Sequence, residues 1–488
     1  MRTPGTLKLL LMCTTVLMLG TAAEAAPARH GDTDPATAKA VVEFIRSEMR
    51  ERQIPGLQIV VVKNQRIVLS KALGVASIQY AVPVSERSVF SINSATKSFT
   101  GVAIMQLVEQ GKIELQAPAA RYLPGLPADW QAVTVAQLLA HTSGLPDILD
   151  QRTSGLIAGS PEASWQAVQT LPMEAAPGQR FSYNQTNYLL LGKIIDRVSG
   201  QPFLQFIQRQ QFDAVGMPGS SFGDSLDVIK NKANSYRLAD DGTTLKNVIE
   251  DFTPNMRTGA GINSSAQELA KWIVALQQGR LLKAASLKQL WQPSAYSDGK
   301  PAPWAMGWPA IRRGEHRAVA GIGGGRSAFY VYPDDDLAVV ILTNLAGGQP
   351  EQLIDTVAGY YLPALRKING GGYALYRLRE QFGASGFDEL ERKLRQVTEQ
   401  YAVSAPSDGA LNAWGYRLLS RRQTKSAIAV LSLAAQRFPD SANAHDSLAE
   451  AYEADSAPEL AIQHYRRSLE LNPRNQPATE RLKLLDKK

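Results

Sequence analysis

A serine and a lysine stand three residues apart in the stretch Ser94-Ala95-Thr96-Lys97. The following segment, residues 98–110, is apolar nearly all round and is followed by Gly111, a pattern typical of a buried helix. Because residues i and i+3 share a helix face, the amine of Lys97 is predicted to lie near the Ser94 hydroxyl. Burial disfavours the charged amine and makes it a base, while the helix start offers Ser94 a backbone N–H for an oxyanion. The pair therefore predicts an activated acyl-transfer nucleophile.

Two other serines match the sequence of a nucleophile motif but lack the secondary structure that such a motif requires. The stretch Ser297-Asp298-Gly299-Lys300 repeats the spacing in a polar, turn-rich region with no helix behind it. The stretch Gly219-Ser220-Ser221-Phe222-Gly223 has the letters of a nucleophile elbow, which requires a strand before it, yet Met217-Pro218 precedes it. That stretch is predicted to be a loop, so Ser94 remains the expected nucleophile.

Three further stretches carry side chains or backbone suited to the same chemistry. Residues 177–188 place Tyr183 on a loop before a second apolar helix, predicted over residues 189–198. Residues 138–146 contain His141 in the turn-like sequence His-Thr-Ser-Gly, where it is expected to be a structural hydrogen bonder at a helix end. The glycine-rich stretch Gly321-Ile322-Gly323-Gly324-Gly325-Arg326-Ser327 is the third.

From about Asp34 to Leu365, these motifs and their order resemble the β-lactamase-related serine hydrolases. This superfamily comprises class C β-lactamases, DD-peptidases and family VIII esterases. The resemblance implies that Ser94 is the nucleophile, that Lys97 is its partner, and that Tyr183 exchanges a proton with the nucleophile or leaving group. It also implies that a backbone N–H of the third motif, at Gly325 beside Gly324, joins that of Ser94 in the oxyanion hole.

The chain departs from the family pattern at two positions. Gln185 stands where the family usually has Asn and keeps an amide that could bind a substrate amide. Ile322 is taken to occupy the place of a Lys or His, so no cation would meet the carboxylate of a penicillin or of a C-terminal D-alanine. Arg326 is four residues further along the strand, roughly 13 Å away. The site is therefore expected to favour neutral acyl groups.

The start of the chain has the features of a secretory signal peptide. Arg2 and Lys8 precede an apolar run over residues 9–19, and Ala23-Glu24-Ala25 offers a small-residue cleavage site. We therefore expect residues 1–25 to be removed and the protein to be periplasmic or secreted. The single cysteine, Cys13, lies within this segment. No later run has the length of a transmembrane span, so none is predicted.

Composition argues against several classes of partner. The chain has a net charge of +7, with 44% hydrophobic and 20% charged residues, as expected for a globular protein. Lysine and arginine alternate with acidic residues rather than forming a basic run, so nucleic acid is not an expected partner. No cysteine or histidine pair has zinc spacing, and no complete nucleotide-binding glycine motif occurs. We therefore expect neither a metal nor a cofactor.

The predicted secondary structure belongs to the α+β class. A helix is predicted over residues 35–52, and strands over residues 56–62, 66–73, 327–332 and 337–343. Hairpins at both ends of the first 365 residues predict an antiparallel sheet built from both ends of that region. Helices would flank the sheet, with a helical subdomain inserted, as in the β-lactamase and transpeptidase fold. The hydrolase domain is expected to span residues 34–365.

The C-terminal part differs in composition. Gly370-Gly371-Gly372 marks a boundary, and residues 366–405 are predicted to be a linker with a helix near residues 388–400. Residues 406–488 fit two tetratricopeptide-like repeats, because the pattern ending at Pro439 returns at Pro473, 34 residues later. A capping helix is expected at residues 476–485. Two repeats bury little surface alone, so they are expected to contact the hydrolase domain, a protein partner or another copy.

The resulting hypothesis is an exported serine hydrolase that forms an acyl-enzyme at Ser94 and acts on a small-molecule or peptide substrate. An ester or amide of an uncharged acyl group is the preferred substrate. A β-lactamase, DD-carboxypeptidase or D-aminopeptidase using the same residues is the first alternative. A non-catalytic protein that binds an envelope partner is the second, and the presence of Ser94, Lys97 and Tyr183 together argues against it.

Overall fold

A computed structural model of the chain describes residues 34–150, 152–153, 155–382 and 389–485. The predicted signal peptide at residues 1–25 lies outside this part. None of the helices in these ranges is both long and apolar enough to cross a membrane. The strands are β1 (Gly56–Lys63), β2 (Arg66–Ser77), β3 (Val82–Pro83), β4 (Phe90–Ser91), β5 (Ser221–Phe222), β6 (Tyr236–Leu238), β7 (Leu245–Asn247), β8 (Ile262–Ser264), β9 (Ala310–Arg313), β10 (His316–Gly323), β11 (Ser327–Tyr332), β12 (Leu337–Thr343) and β13 (Leu345–Ala346).

The main sheet joins both ends of the hydrolase region. Its strand order is β3-β2-β1-β12-β11-β10-β9, and each neighbouring pair is antiparallel. The central strands β1 and β12 are almost entirely buried, which is why both are apolar runs rather than alternating sequences. The predicted antiparallel sheet and the β-lactamase and transpeptidase-like α+β fold are confirmed.

The helices flank this sheet and continue beyond it. They are α1 (Pro35–Arg52), α2 (Thr96–Glu109), α3 (Val135–Leu139), α4 (Pro161–Val168), α5 (Gln185–Ser199), α6 (Phe203–Ile207), α7 (Ala266–Gln277), α8 (Ala284–Leu290), α9 (Glu351–Tyr361), α10 (Pro363–Asn369), α11 (Gly371–Phe382), α12 (Leu390–Tyr401), α13 (Asp408–Ser420), α14 (Thr424–Arg437), α15 (Ala442–Ala454), α16 (Pro458–Leu471) and α17 (Gln476–Leu485). The helix predicted over residues 35–52 is found with those bounds. The predicted apolar helices at residues 98–110 and 189–198 begin earlier, at Thr96 and Gln185.

The inner face of the sheet packs on α2, the central helix of the hydrolase region. Residues 96–107 of α2 are all buried, as its apolar sequence predicts. One large apolar cluster on this face includes residues of α2, α5 and α7 together with Val340 of β12 and Phe329 of β11. The face therefore supports the start of α2, where Ser94 lies.

The outer face of the sheet packs on α1 and α9, and the C-terminal helices extend this layer. A second apolar cluster runs from β1 and β12 through α1 and α9 to α11, α12, α13 and α14. The ring of Tyr376 in α11 meets Phe44 of α1 edge-on, with centroids 5.3 Å apart. Packing is therefore continuous across the predicted boundary at residues 365–366. The division into a hydrolase domain, a linker and repeats stays a prediction.

Candidate active site

Ser94 lies in a tight turn that leads into α2. Residues Asn93–Ala95 form a single 3₁₀ turn, and Asn93 has a φ of 46°, a left-handed conformation that Asn tolerates better than most residues. The turn is tied to the main sheet because Ser327 Oγ donates a hydrogen bond of 2.7 Å to the carbonyl of Ile92. Ser94 itself is half-buried. The left-handed Asn93 and this hydrogen bond therefore fix the backbone that carries the Ser94 side chain.

Lys97 is buried one turn further along and is held by two carbonyl oxygens. Its side chain is 2% exposed, and Nζ donates hydrogen bonds to Gln185 Oε1 at 3.1 Å and to the backbone oxygen of Gly259 at 3.0 Å. No hydrogen bond joins Nζ to Ser94 Oγ in the described part of the chain. These two acceptors hold Nζ in place one helical turn from the Ser94 hydroxyl.

Tyr183 lies on the loop before α5, as the sequence predicts. Lys97 Nζ is 4.8 Å from the centroid of its ring, close enough for the amine and the phenol to interact. The ring is 42% exposed and packs against His141 and Trp304, with centroids 4.4 and 5.6 Å away. The structure therefore brings Ser94, Lys97 and Tyr183 into one region, with Tyr183 the most exposed of the three.

Gln185 is the first residue of α5, and both ends of its side-chain amide are engaged. Oε1 accepts from Lys97, while Nε2 donates to the backbone oxygen of Met256 at 3.2 Å. The residue is 5% exposed and lies directly against Gly259, where a β-carbon would come within 2.9 Å of Gln185 Cδ. The extra methylene relative to Asn is thus accommodated by a glycine. Gln185 positions Lys97, a role that the sequence did not indicate.

His141 is buried against the loop that carries Tyr183. It follows α3 and has a φ of 56°, an unusual conformation for a residue other than glycine. Its Nδ1 accepts the backbone N–H of Asn184 at 3.1 Å, which confirms the expected structural hydrogen bond. Burial holds the pKa of His141 well below its ordinary value, and the charge of Lys97 lowers it further. His141 is therefore neutral with its proton on Nε2.

Asp147 is a residue near this region that the sequence analysis missed. Its Oδ1 accepts the backbone N–H of Gln185 at 3.0 Å and that of Leu149 at 3.2 Å. Burial raises the pKa of Asp147, while these two hydrogen bonds and the charge of Lys97 oppose the rise. In the sequence, only its position shortly after His141 indicates that Asp147 lies near the site. The carboxylate holds the start of α5, and through it the side chain of Gln185, in place.

The glycine-rich stretch forms the hairpin turn between β10 and β11. Gly324 and Gly325 have φ values of 56° and 59°, and Arg326 N donates to Gly323 O at 3.0 Å. Gly323 pairs with Ser327, so three residues connect the strands. A β-carbon on Gly323 would overlap the carbonyl oxygen of Ile92, and one on Gly324 would overlap the side chain of Asn93. Gly325 instead faces the backbone of Gly347, at 3.4 Å. Gly323 and Gly324 are therefore the glycines closest to the turn of Ser94.

The structure corrects the expectation for Ile322. Successive strand residues face opposite sides of a sheet, and Val319 of β10 belongs to the inner cluster, whereas Ala320 and Ile322 contact the outer one. A cation at position 322 would therefore point away from α2. Gly321 is the neighbouring position that faces inward, and a β-carbon there would overlap the Phe329 ring.

Arg326 does not take over the role of the missing cation. It is 5% exposed and forms an ion pair of 3.0 Å with Glu250, which is equally buried. The two other serines considered above also lie in unsuitable surroundings. Ser221 belongs to the short strand β5 rather than to the predicted loop, and Ser297 lies in a turn. Neither has the helix that follows Ser94.

Sequence comparison finds relatives among curated proteins. Protein flp of Staphylococcus aureus (strain MW2) is 28% identical over 322 residues, which are 64% of each chain. The putative penicillin-binding protein PbpX of Bacillus subtilis (strain 168) is 29% identical over 240 residues, covering 49% of this chain and 59% of the relative. These matches therefore span less than two thirds of the length of these curated relatives.

A solved structure shows the same fold. The octameric penicillin-binding protein homologue from Pyrococcus abyssi matches with a TM-score of 0.60 and 26% identity, covering 70% of this chain and 81% of that one. The model of the Beta-lactamase family matches residues 41–360, the part of the chain that holds the main sheet, Ser94, Lys97 and Tyr183. Because this match covers well over half of the sequence, the chain belongs to the Beta-lactamase family, whose members are generally serine hydrolases.

Proposed function

We propose that this protein is an exported serine hydrolase that forms an acyl-enzyme at Ser94 and acts on esters or amides of uncharged acyl groups. The observation that carries the proposal is the environment of Lys97, which is buried between two carbonyl acceptors one helical turn from Ser94. Two acceptors satisfy a neutral amine and leave it able to take the Ser94 proton. If Lys97 had only a structural role, no serine would be required at position 94, one turn before it.

In the proposed reaction, Ser94 Oγ attacks the carbonyl carbon of the substrate while Lys97 accepts the hydroxyl proton. The resulting oxyanion is held by the backbone N–H of Ser94 and by one from the glycine turn, at Gly324 or Gly325. Tyr183 delivers a proton to the leaving group, and the nearby amine stabilises its anion. Water then attacks the acyl-enzyme by the same steps in reverse, which releases the acid and restores Ser94.

The preference for neutral acyl groups is supported by the strand next to Ser94. Its inward positions are Gly321 and Gly323, and Arg326 is neutralised by Glu250. A carboxylate on the substrate therefore finds no free cation on this strand. The names of the relatives, two of them penicillin-binding proteins or homologues, favour a β-lactamase or DD-peptidase as the second candidate.

The decisive experiment compares three substrates with the mature protein: a short-chain nitrophenyl ester, a chromogenic cephalosporin and a D-Ala-D-Ala peptide. We expect the ester to turn over fastest, and Ser94→Ala to abolish turnover of every substrate. Ser221→Ala and Ser297→Ala are the matched controls and should retain it. Retained activity in Ser94→Ala would remove the nucleophile assignment, and preferred hydrolysis of the cephalosporin or peptide would favour the second candidate.

The C-terminal helices fit a placement role. We propose that residues 406–488 are tetratricopeptide-like repeats that hold the enzyme against a protein partner of the cell envelope. The pairing of α13 with α14 and of α15 with α16 supports this assignment. Co-purification from the periplasm, with and without residues 442–485, tests it, because a partner of the repeats should be lost with them.

A further inference from the structure

A cavity of about 380 Å³ lies between the hydrolase layer and the C-terminal helices. It is lined by residues of α1, α9, α11 and α13 and by none of the residues proposed for chemistry. Its volume is at the lower end of the range of small-ligand sites, roughly 300 to 1,000 Å³. The cavity is therefore large enough for a small molecule.

Two of the arginines that line the cavity share one buried carboxylate. Glu48 is 2% exposed, and it accepts from Arg52 Nε at 2.9 Å and from Arg379 Nη2. The side chains of Arg52 and Arg379 are themselves only 10% and 11% exposed. Among the residues that the structure describes, none accepts a hydrogen bond from the buried Arg379 Nη1. One guanidinium group at the cavity thus has a donor that no described atom of the chain satisfies.

Two further arginines lie close to Arg52 and Arg379. Glu51 is likewise shared, by Arg417 and Arg421, each at 2.9 Å. Burial, together with the charges of Arg417 and Arg421, lowers the pKa of Arg379 to about 9. Burial also raises the pKa of Glu351, which weakens the remaining acidic group near Arg52. Four guanidinium groups are thus paired with two carboxylates, and three of the four, on Arg52, Arg379 and Arg417, line the cavity.

The backbone adds partial positive charge to the same cavity. Helix α11 begins at Gly371, and Gly371 and Gly372 line the cavity, as do Gly409 and Ala410 in the first turn of α13. Helix N-termini carry unpaired N–H groups and attract anions. In α13 the Ala410 N–H already donates to the Ser407 hydroxyl at 3.3 Å and Asp408 lies in the first turn, so this contribution comes from Gly371 and Gly372 of α11. The one further acidic residue of the lining, Asp355, is already paired with Arg313 at 2.9 Å.

We infer that this cavity binds a small oxyanion, a phosphate or carboxylate group, through Arg379 and the N-terminus of α11. The bound anion would complete the partners of Arg379 and join the C-terminal helices to the hydrolase layer. This inference does not depend on the proposed hydrolysis, because it concerns a different set of residues and its readout is stability.

The test is thermal unfolding of the full chain titrated with inorganic phosphate or with succinate, against sodium chloride at equal ionic strength. We expect a saturable rise in the unfolding midpoint with one oxyanion that chloride does not reproduce. A rise with phosphate alone identifies a phosphate site, and a rise with succinate alone identifies a carboxylate site. If neither oxyanion exceeds chloride, the inference is wrong.

Variants separate this site from general salt effects. Arg379→Met should weaken the oxyanion response about ten- to a hundredfold, the scale of one charge-assisted hydrogen bond. Arg474→Met, which removes an exposed arginine near the end of the chain, is the matched control and should respond like wild type.

A second variant covers the case in which Arg379→Met does not fold. Ala413→Glu places a carboxylate in the cavity one turn before Arg417 on the same helix, where it can act as a tethered ligand. It should raise the midpoint without added anion and abolish the response to phosphate or succinate. An unchanged oxyanion response in Ala413→Glu would place the binding elsewhere and overturn the assignment.

Discussion

Gly259→Ala should impair catalysis although the residue carries no reactive group. A β-carbon at this position would lie 2.5 Å from Gln185 Oε1 and 2.9 Å from Gln185 Cδ, whereas ordinary contacts begin at about 3.5 Å. The loop cannot easily retreat, because Thr100 Oγ1 donates a hydrogen bond of 2.6 Å to the neighbouring carbonyl of Thr258. The Gln185 amide must therefore move by roughly 0.6 to 1 Å.

That displacement breaks one of the two hydrogen bonds that hold Lys97. Its bond to Gln185 Oε1 is 3.1 Å long, so a shift of this size takes it beyond hydrogen-bonding distance. A hydrogen bond to a charged group contributes about 1.5 to 3 kcal/mol, and this amine gains its charge as it takes the Ser94 proton. The expected loss in kcat is therefore about ten- to a hundredfold, with little change in KM.

The assay is steady-state hydrolysis of a nitrophenyl ester by four proteins: wild type, Gly259→Ala, Gln185→Asn and the double variant. Asn is shorter by one methylene, so Gln185→Asn alone should lose contact with Lys97 and also lower kcat. In the double variant the shorter amide makes room for the new methyl group. The loss in kcat should therefore be smaller than the two single-variant losses combined. Strictly additive losses, or wild-type activity in Gly259→Ala, would refute the positioning role of Gln185.

Three further outcomes are expected from the same geometry. Lys97→Ala and Tyr183→Phe should each lower kcat by roughly 10² or more, as for lost general acid-base steps, and an effect on KM alone would contradict their roles. Ile322→Lys should leave the ratio of penicillin acylation to ester hydrolysis unchanged, because its side chain faces the outer layer; an increase in penicillin acylation would place that residue in the cleft. His141 should reduce stability in acid: its folded pKa is depressed, so below a pH of about 6.5 the unfolded chain binds a proton that the folded chain does not. Urea unfolding at pH 7 and 5.5 should show a loss of up to about 1.4 kcal/mol per pH unit that His141→Gln lacks.

Elements with a strong period or a clear stop signal could be predicted from the sequence. The helix at residues 35–52 has Asp34 as its N-cap and ends at a left-handed Gln53, and its predicted bounds agree with α1. The strands β11 and β12 are short apolar runs separated by an acidic turn, and their bounds were also predicted. Helix α5 was placed too late because its first turn is polar, although Asn184 caps it.

The details of the site could not be predicted, because they depend on contacts between distant segments. The sequence showed that Gln185 replaces Asn, but not that Gly259, far along the chain, makes room for it. It also placed Ile322 in the motif by letters, whereas side-chain direction depends on strand register, and a shift of one residue reverses the face. The glycines on either side of Ile322 gave no apolar pattern from which to read that register.

The residues proposed for catalysis and the C-terminal helices lie on opposite faces of the main sheet. The inner face supports α2 and the hairpin turn beside Ser94, and its apolar cluster contains no residue of the C-terminal helices. The outer face packs on α1 and α9, which in turn pack on α11. A change in the C-terminal helices therefore acts first on the stability of the outer layer. It has two routes to the active site: the strands, and residues 348–349, where Arg52 donates to the Gln349 carbonyl and the Gln349 N–H donates to Gly325 O at 2.8 Å. An anion bound beside Arg52 would therefore influence hydrolysis through Gln349 and the glycine turn as well as through the buried strands β1 and β12.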